Sequence, residues 1–227
     1  MLVIKSLAGV AFQLTLFATL LLLPAPTWDW PRALQFLTVY GIATTIAVFI
    51  LARIAPRGLE ARLAAPASAS QPKEDRIVTW VLVLLFLAWF LFIPIDVFQL
   101  HLLPPPSPLL SILGAVVSIA GYGLCLASIY QNAFVAPIVK DQSERGHTLV
   151  DTGIYGIVRH PMYLGMLLWL IGLGLWLEST AGSIATIVLG QTFLLRIKIE
   201  EATLSNSLPG YVSYKLKVPY RLIPLIW

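Results

Sequence analysis

The sequence predicts an all-α, polytopic membrane helix bundle of five to six transmembrane helices, with a helical hairpin towards its C-terminal end. Three observations predict it. Apolar residues make up 58 % of the 227, charged residues only 11 %, and mean hydropathy is +0.84. Soluble domains are about 45–50 % apolar and about 25 % charged. So few charges cannot cover such an apolar load in water, and a bilayer removes the need. This excludes an ordinary soluble enzyme, a disordered chain and a nucleic-acid binder, despite a pI of 9.3. The second observation is a series of apolar runs near the roughly 20 residues that a span requires. The third is that nearly all the basic residues fall on one side of those runs.

Six runs qualify: 6–23, 31–51, 77–100, 109–130, 161–177 and 181–195. The last two are short, and only Glu178, Ser179 and Thr180 separate them, which predicts the hairpin. Shortening or merging one would leave five. Of the 15 Lys and Arg, all but Arg32 lie on one side of this arrangement. The positive-inside rule therefore places both termini and the two long loops in the cytoplasm, with anionic headgroups as neighbours. Run 6–23 reads as a retained anchor. Its basic region is Lys5 alone, no small-x-small cleavage site follows, and Trp28 and Trp30 suit an interface. The stretch 64–71 (AAPASASQ) reads as a flexible linker. Pro104–Pro108 (PPPSP) reads as a stiff outer turn. No internal repeat is visible, which disfavours a transporter built from matched halves. Cys125, the single cysteine, excludes an internal disulfide and a Cys-rich zinc site, and its apolar setting suits a small buried hydrophobe. The three His are scattered with no HExxH or CxxC, so no metal ligand set is assigned.

The chain changes character after residue 130, which divides one membrane domain (1–227) into N-terminal helices (1–130) and a core (131–227). From Gln142 it reads QSERGHTLVDTGIYGIVRHPMYLG. Gly146, Gly153 and Gly156 permit a folded-back backbone close to a ligand. Arg159 and His160 precede a helix that Pro161 starts well, and a helix start offers free N–H groups to a carboxylate or phosphate. Downstream, RIKIEE puts Arg196 and Glu200 on one helical face and Glu201 about 100° away. Carboxylates at a membrane helix end need partners, and the positive start at Pro161 is a natural one. Asp96, beneath Pro94, reads either as pocket-lining or as a boundary charge. Tyr211, Tyr214 and Tyr220 sit among Lys and Arg and suit an interfacial segment. Together these features predict a cytoplasmic-side pocket for a zwitterion. The helix start would take a carboxylate, Glu200 an ammonium, sulfonium or ribose hydroxyl, and an apolar partner would enter from the lipid.

The run GHTLVDTGIYGIVRHPMYLG, followed by RIKIEE, LPGYVSY and VPYRLIP, resembles the integral-membrane methyltransferases. That superfamily includes isoprenylcysteine carboxyl methyltransferases, phospholipid N-methyltransferases and bacterial homologues, some of them thiol methyltransferases. The match covers about the last hundred residues and is strongest from His147 to Gly165. It implies S-adenosylmethionine as cofactor and methyl donor. Position by position, it implies cofactor contacts at Gln142, His147, Thr148, Leu149, Val150, Tyr155, His160, Pro161, Met162, Tyr163 and Glu200, with Gly153 and Glu201 added from the same motifs. It implies a catalytic or pocket-organising role for Arg159 and places Arg196 near the methyl acceptor. It also implies an inner-membrane location of bacterial type, membrane lipids as partners, and a lipophilic or small acceptor.

Methyl transfer from a sulfonium is an in-line displacement by a lone pair held about 3–3.5 Å from the methyl carbon. A carboxylate is ionised at pH 7 and needs no base. An amine must lose a proton, and a thiol must become a thiolate. The sequence shows no committed general base, which favours an anionic or thiolate acceptor. Two other readings stand beside this one. An NADPH-dependent sterol-type reductase would share VPYRLIP, but the chain is short for one and RIKIEE departs from its pattern. A non-catalytic membrane protein would have had little reason to keep RHPMY and the EE pair.

Overall fold

The computed structural model describes residues 1–63, 73–132 and 148–227, and these residues form helices and turns without a strand. In chain order the helices are α1 (Leu2–Leu22), α2 (Pro31–Ile54), the short α3 (Pro56–Ala61), α4 (Lys73–Ile95), α5 (Pro108–Gln131), α6 (Pro161–Trp176), α7 (Thr180–Ser207) and α8 (Tyr211–Lys217). A π-helical turn, Asp96–Leu100, extends α4, and a 3-10 turn, Gly153–Gly156, precedes α6. The linker expected at 64–71 lies outside the described residues. Four helices (α2, α3, α5 and α6) begin with proline at their first position, where no N–H is needed.

Among the described residues, five helices are long and apolar enough to cross a bilayer: α1, α2, α4 with its extension, α5 and α7. The predicted fifth run became α6, whose 16 residues reach about 24 Å against a hydrocarbon core of about 30 Å. The predicted sixth run was too short at 181–195, since α7 continues as one helix of 28 residues through RIKIEE to Ser207. Arg196, Glu200 and Glu201 have partners on other elements, so they do not end the helix. Arg196 pairs with Asp75 of α4 at 3.4 Å, both buried.

The turns before α2, after α4 and between α6 and α7 meet at one end of the bundle. Arg32 pairs with Glu178 at 3.2 Å, and Thr180 donates to the Pro104 carbonyl at 2.8 Å. Asp96 belongs here and does not line the cleft. Its Oδ2 accepts from Ser179 at 2.6 Å and its Oδ1 from the Leu102 N–H at 3.1 Å. Ser179 in turn caps α7 by accepting from the Gly182 N–H at 2.8 Å. Pro94 cannot donate within α4, and the helix widens into the π turn that brings Asp96 to Ser179.

An aromatic core joins the early spans to the hairpin. Phe17 stacks on Phe90 at 4.5 Å, with Phe36, Tyr40, Phe86 and Trp169 around them. Against it, α5 and α6 run antiparallel in close contact. Ser111, Ser118 and Cys125 of α5 face the carbonyls of Trp176, Trp169 and Met162, at 3.2, 3.1 and 3.6 Å. Between these rungs, Gly114 faces Gly172 and Gly121 faces Gly165. A Cβ on Gly121 would lie 2.6 Å from the Gly165 carbonyl oxygen. Small residues are how membrane helices approach this closely. Cys125 is therefore one rung of this seam, as its apolar setting suggested.

Candidate functional site

The residues before α6 fold back onto the end of α5. Gly153 has φ +59, a left-handed conformation that suits glycine. It allows the Ile154 N–H to donate to Gln131 Oε1 at 2.9 Å. Tyr155 turns inward, and its carbonyl accepts from the Tyr214 hydroxyl at 2.7 Å. At the start of α6 the tail pairs with the backbone. The Arg159 N–H donates to the Tyr220 carbonyl at 3.0 Å and the His160 N–H to that of Arg221 at 2.9 Å. The VPYR stretch thus closes over RHP. The first N–H groups of α6, at Met162 and Tyr163, have no acceptor within the helix.

Three nitrogen-bearing side chains converge on Glu201, which is 5 % exposed. Arg159 Nε donates to its Oε1 at 2.7 Å and Arg221 Nε to its Oε2 at 3.0 Å, and His160 Nε2 lies 3.2 Å from Oε1. Arg159 also donates from Nη1 to the Val218 carbonyl at 2.6 Å. Glu200, the next residue, points elsewhere and accepts from the Tyr163 hydroxyl at 2.9 Å. The two carboxylates therefore do different work: Glu201 holds the frame, and Glu200 faces the space the frame encloses.

That space is a cleft of about 620 Å³, its open mouth included. Leu149, Val150, Tyr155, Arg159, His160, Pro161, Met162, Tyr163 and Glu200 line it, all of them sequence candidates. Among the described residues, Thr148, Gly153, Arg196 and Glu201 are absent from the lining. Gln142 and His147 lie outside the described residues. The sequence reading missed Asn132, Leu204, Leu208, Tyr211 and Tyr214. A signal for most of them was present. Glu200, Leu204 and Leu208 repeat every four residues on one face, and Tyr211 follows the left-handed Gly210 at φ +83. Tyr211 and Tyr214 were expected at an interface, but at 3 % and 4 % exposure they pack with Leu208 and Val218.

Burial raises the pKa of Tyr155, Tyr211 and Tyr214, and the charge of Glu200 adds to this for Tyr155 and Tyr211. These phenols stay neutral at physiological pH. At the rim, Lys217 donates to Asp151 at 2.8 Å and holds its carboxyl below the usual range. No group of three His, Cys, Asp or Glu is placed to hold a metal among the described residues. The cleft combines a positive helix start, one carboxylate and several aromatic faces. That combination suits a zwitterionic ligand with a flat ring.

The structure defines a multi-pass membrane protein with a ligand cleft where two helix ends and the tail converge. Residues 109–209 match the phospholipid methyltransferase family. The protein-S-isoprenylcysteine O-methyltransferase of Saccharomyces cerevisiae is 36 % identical over 132 residues, covering 57 % of this chain and 54 % of that one. The cobalt-zinc-cadmium resistance protein CzcN of Cupriavidus metallidurans is 33 % identical over 118 residues, covering 50 % and 49 %. In fold, the chain resembles the eukaryotic intramembrane Ras methyltransferase ICMT. The TM-score is 0.57 at 22 % identity, covering 96 % of this chain and 75 % of that one. The chain spans about half the length of the curated relatives it matches.

Proposed function

We propose that this protein transfers a methyl group from S-adenosylmethionine to a lipophilic or small acceptor at the cytoplasmic face of a bacterial inner membrane, with both termini cytoplasmic. In this reading residues 131–227 form the cofactor-binding core, and the helices of 1–130 present the acceptor side. The observation that carries it is the pair Tyr163–Glu200, joined at 2.9 Å beside the free N–H groups that start α6. A zwitterionic donor fits this wall. The N–H groups of Met162 and Tyr163 suit its carboxylate, Glu200 its ribose hydroxyls or ammonium, and the tyrosine faces its sulfonium or ring. When bound, the donor supplies an electrophilic methyl group. The chain positions and encloses it, while Arg159, His160 and Glu201 fix the start of α6 against α7 and the tail.

The test is equilibrium binding of labelled S-adenosylmethionine to detergent-purified protein, with Glu200→Ala and His160→Ala in parallel. Saturable binding that S-adenosylhomocysteine competes and NADPH does not, weakened in both variants, is the expected result. A folded preparation that binds NADPH instead would favour a reductase. One that binds neither would favour a non-catalytic role.

A further inference from the structure

The tail ends in a loop whose apolar tip faces outward. The Arg221, Leu222 and Ile223 N–H groups all donate to the Trp227 carbonyl oxygen, at 3.0, 3.0 and 3.1 Å, which closes residues 221–227 into a turn. On that turn Ile223, Leu225 and Ile226 are 44 %, 84 % and 76 % exposed. Leu225 has φ +67, a left-handed conformation that is unfavourable for a residue with a Cβ. The loop therefore presents its aliphatic side chains outward at a conformational cost. Ile157, in the turn before α6, is exposed as well.

The depth of this loop follows from α6. Trp176 lies at the far end of the bundle, near the Arg32–Glu178 pair, and the 16 residues back to Pro161 rise only about 24 Å. A hydrocarbon core is about 30 Å thick. The start of α6 thus lies at the edge of that core and not in the water beyond it. Beside it, α5 continues for six residues past Cys125, the residue that contacts Met162. The Tyr220 and Arg221 carbonyls take the Arg159 and His160 N–H groups, so the loop that follows is fixed at the same depth. Charge favours contact with lipid there. Residues 202–227 contain Lys215, Lys217 and Arg221 and no acidic residue. The Trp227 ring lies 4.8 Å from the Arg221 guanidinium. Aliphatic side chains flanked by basic groups and a tryptophan suit an anionic headgroup layer. We propose that the tip Ile223–Ile226 inserts into the anionic leaflet at the cleft end of the bundle, and that this contact holds the VPYR stretch on RHP.

The loop begins at a residue of the frame itself. Arg221 donates to Glu201 Oε2 at 3.0 Å, and its carbonyl holds the His160 N–H at 2.9 Å. Lipid contact at the tip therefore steadies the wall formed by His160 to Tyr163. The interfacial role belongs to the aliphatic tip, while Tyr211 and Tyr214 turn into the cleft. The affinity of the cleft for its ligand becomes dependent on the surrounding lipid. That last step alone rests on the methyl-donor reading.

Nitroxide labels can be placed singly at Ile226, at Ile187 and at Glu74, in nanodiscs of phosphatidylcholine with or without phosphatidylglycerol. Cys125→Ser removes the native thiol and keeps a hydroxyl at that rung of the seam. Ile187 is exposed within the span of α7 and serves as the lipid reference, and Glu74, exposed in the first turn of α4, as the water reference. The Ile226 label should collide with oxygen more than with a nickel chelate, as at Ile187. Collision with the chelate as frequent as at Glu74 overturns the proposal, since the tip is then in water. A label shielded from both reagents also overturns it, since protein, such as a second copy, then covers the tip. Labelled S-adenosylmethionine should bind wild type about three- to tenfold tighter in discs with phosphatidylglycerol than without. The double variant Leu225→Ser, Ile226→Ser should bind it weakly and equally in both. Leu225→Gly, which suits the left-handed backbone, replaces it if that variant fails to fold. Equal donor affinity of wild type in the two lipids overturns the coupling. Donor binding absent from wild type in every lipid defeats the methyl-transfer reading instead, and the label at Ile226 then still decides the insertion.

Discussion

Arg159 donates from Nε to Glu201 at 2.7 Å across 42 residues of sequence, and its Nη1 reaches the Val218 carbonyl at 2.6 Å. One guanidinium thus fastens the start of α6 to α7 and to the tail. Removing one member of a buried ion pair typically costs about 3–5 kcal/mol, because the partner stays buried and uncompensated. Glu201→Gln should therefore lower stability by roughly that amount. Arg221→Ala should cost less, about 1 kcal/mol, since Arg221 is partly exposed and its charge is partly solvated. Thermal unfolding in detergent orders the two. Equal effects would contradict a frame centred on Arg159.

Tyr163 tests the opposite carboxylate. Its hydroxyl donates to Glu200 at 2.9 Å and holds that side chain towards the cleft. Tyr163→Phe keeps the ring against Phe193 and deletes only the hydroxyl. Glu200 then loses its orientation and the donor loses a preset contact. Donor affinity should fall about three- to tenfold, equivalent to about 0.7–1.4 kcal/mol. Melting temperature should shift little. Isothermal titration and unfolding on the same preparation separate the two readouts.

The apolar runs located α1, α2, α4 and α5 within a few residues because lipid contact demands continuous apolar sequence. The end of α7 was harder to read. Arg196, Glu200 and Glu201 look like the exit from a membrane when their partners are unknown, and those partners lie on α4, on α6 and in the tail. The RHPMY motif pointed to five of the fourteen lining residues because they are contiguous. Tyr211 and Tyr214 were misplaced because tyrosine near lysine has the same composition at an interface as in a pocket wall. Gly210 and the contact with Tyr155 distinguish the two, and only the fold supplies that contact.

The α5–α6 seam predicts a graded series. A Cβ at Gly172 would lie 2.5 Å from the Gly114 carbonyl oxygen, and backbone cannot yield there without parting the helices. Gly172→Val should destabilise by about 2 kcal/mol or more, in the range of overpacked cores. Ser118→Ala only loses one hydroxyl contact to the Trp169 carbonyl and should cost about 0.6 kcal/mol, typical of such bonds in membranes. Gly123→Ala, on the same helix with open space around its Cβ position, is the control and should be neutral or slightly stabilising. Melting temperatures of the three variants check the order.

The buried tyrosines predict a one-sided pH dependence. Tyr155, Tyr211 and Tyr214 have folded-state pKa values raised above the unfolded value of about 10. The fold therefore favours their protonated form. That contribution to stability is fully present below about pH 10 and is lost as pH rises towards the folded values. Absorbance at 295 nm should show these phenols resisting ionisation until the protein unfolds. Tyr214→Phe should remove part of the alkaline loss, at the expense of the bond to the Tyr155 carbonyl. Early ionisation of the cleft tyrosines, near pH 10 in the folded protein, would mean that water reaches this wall and that it does not enclose a ligand.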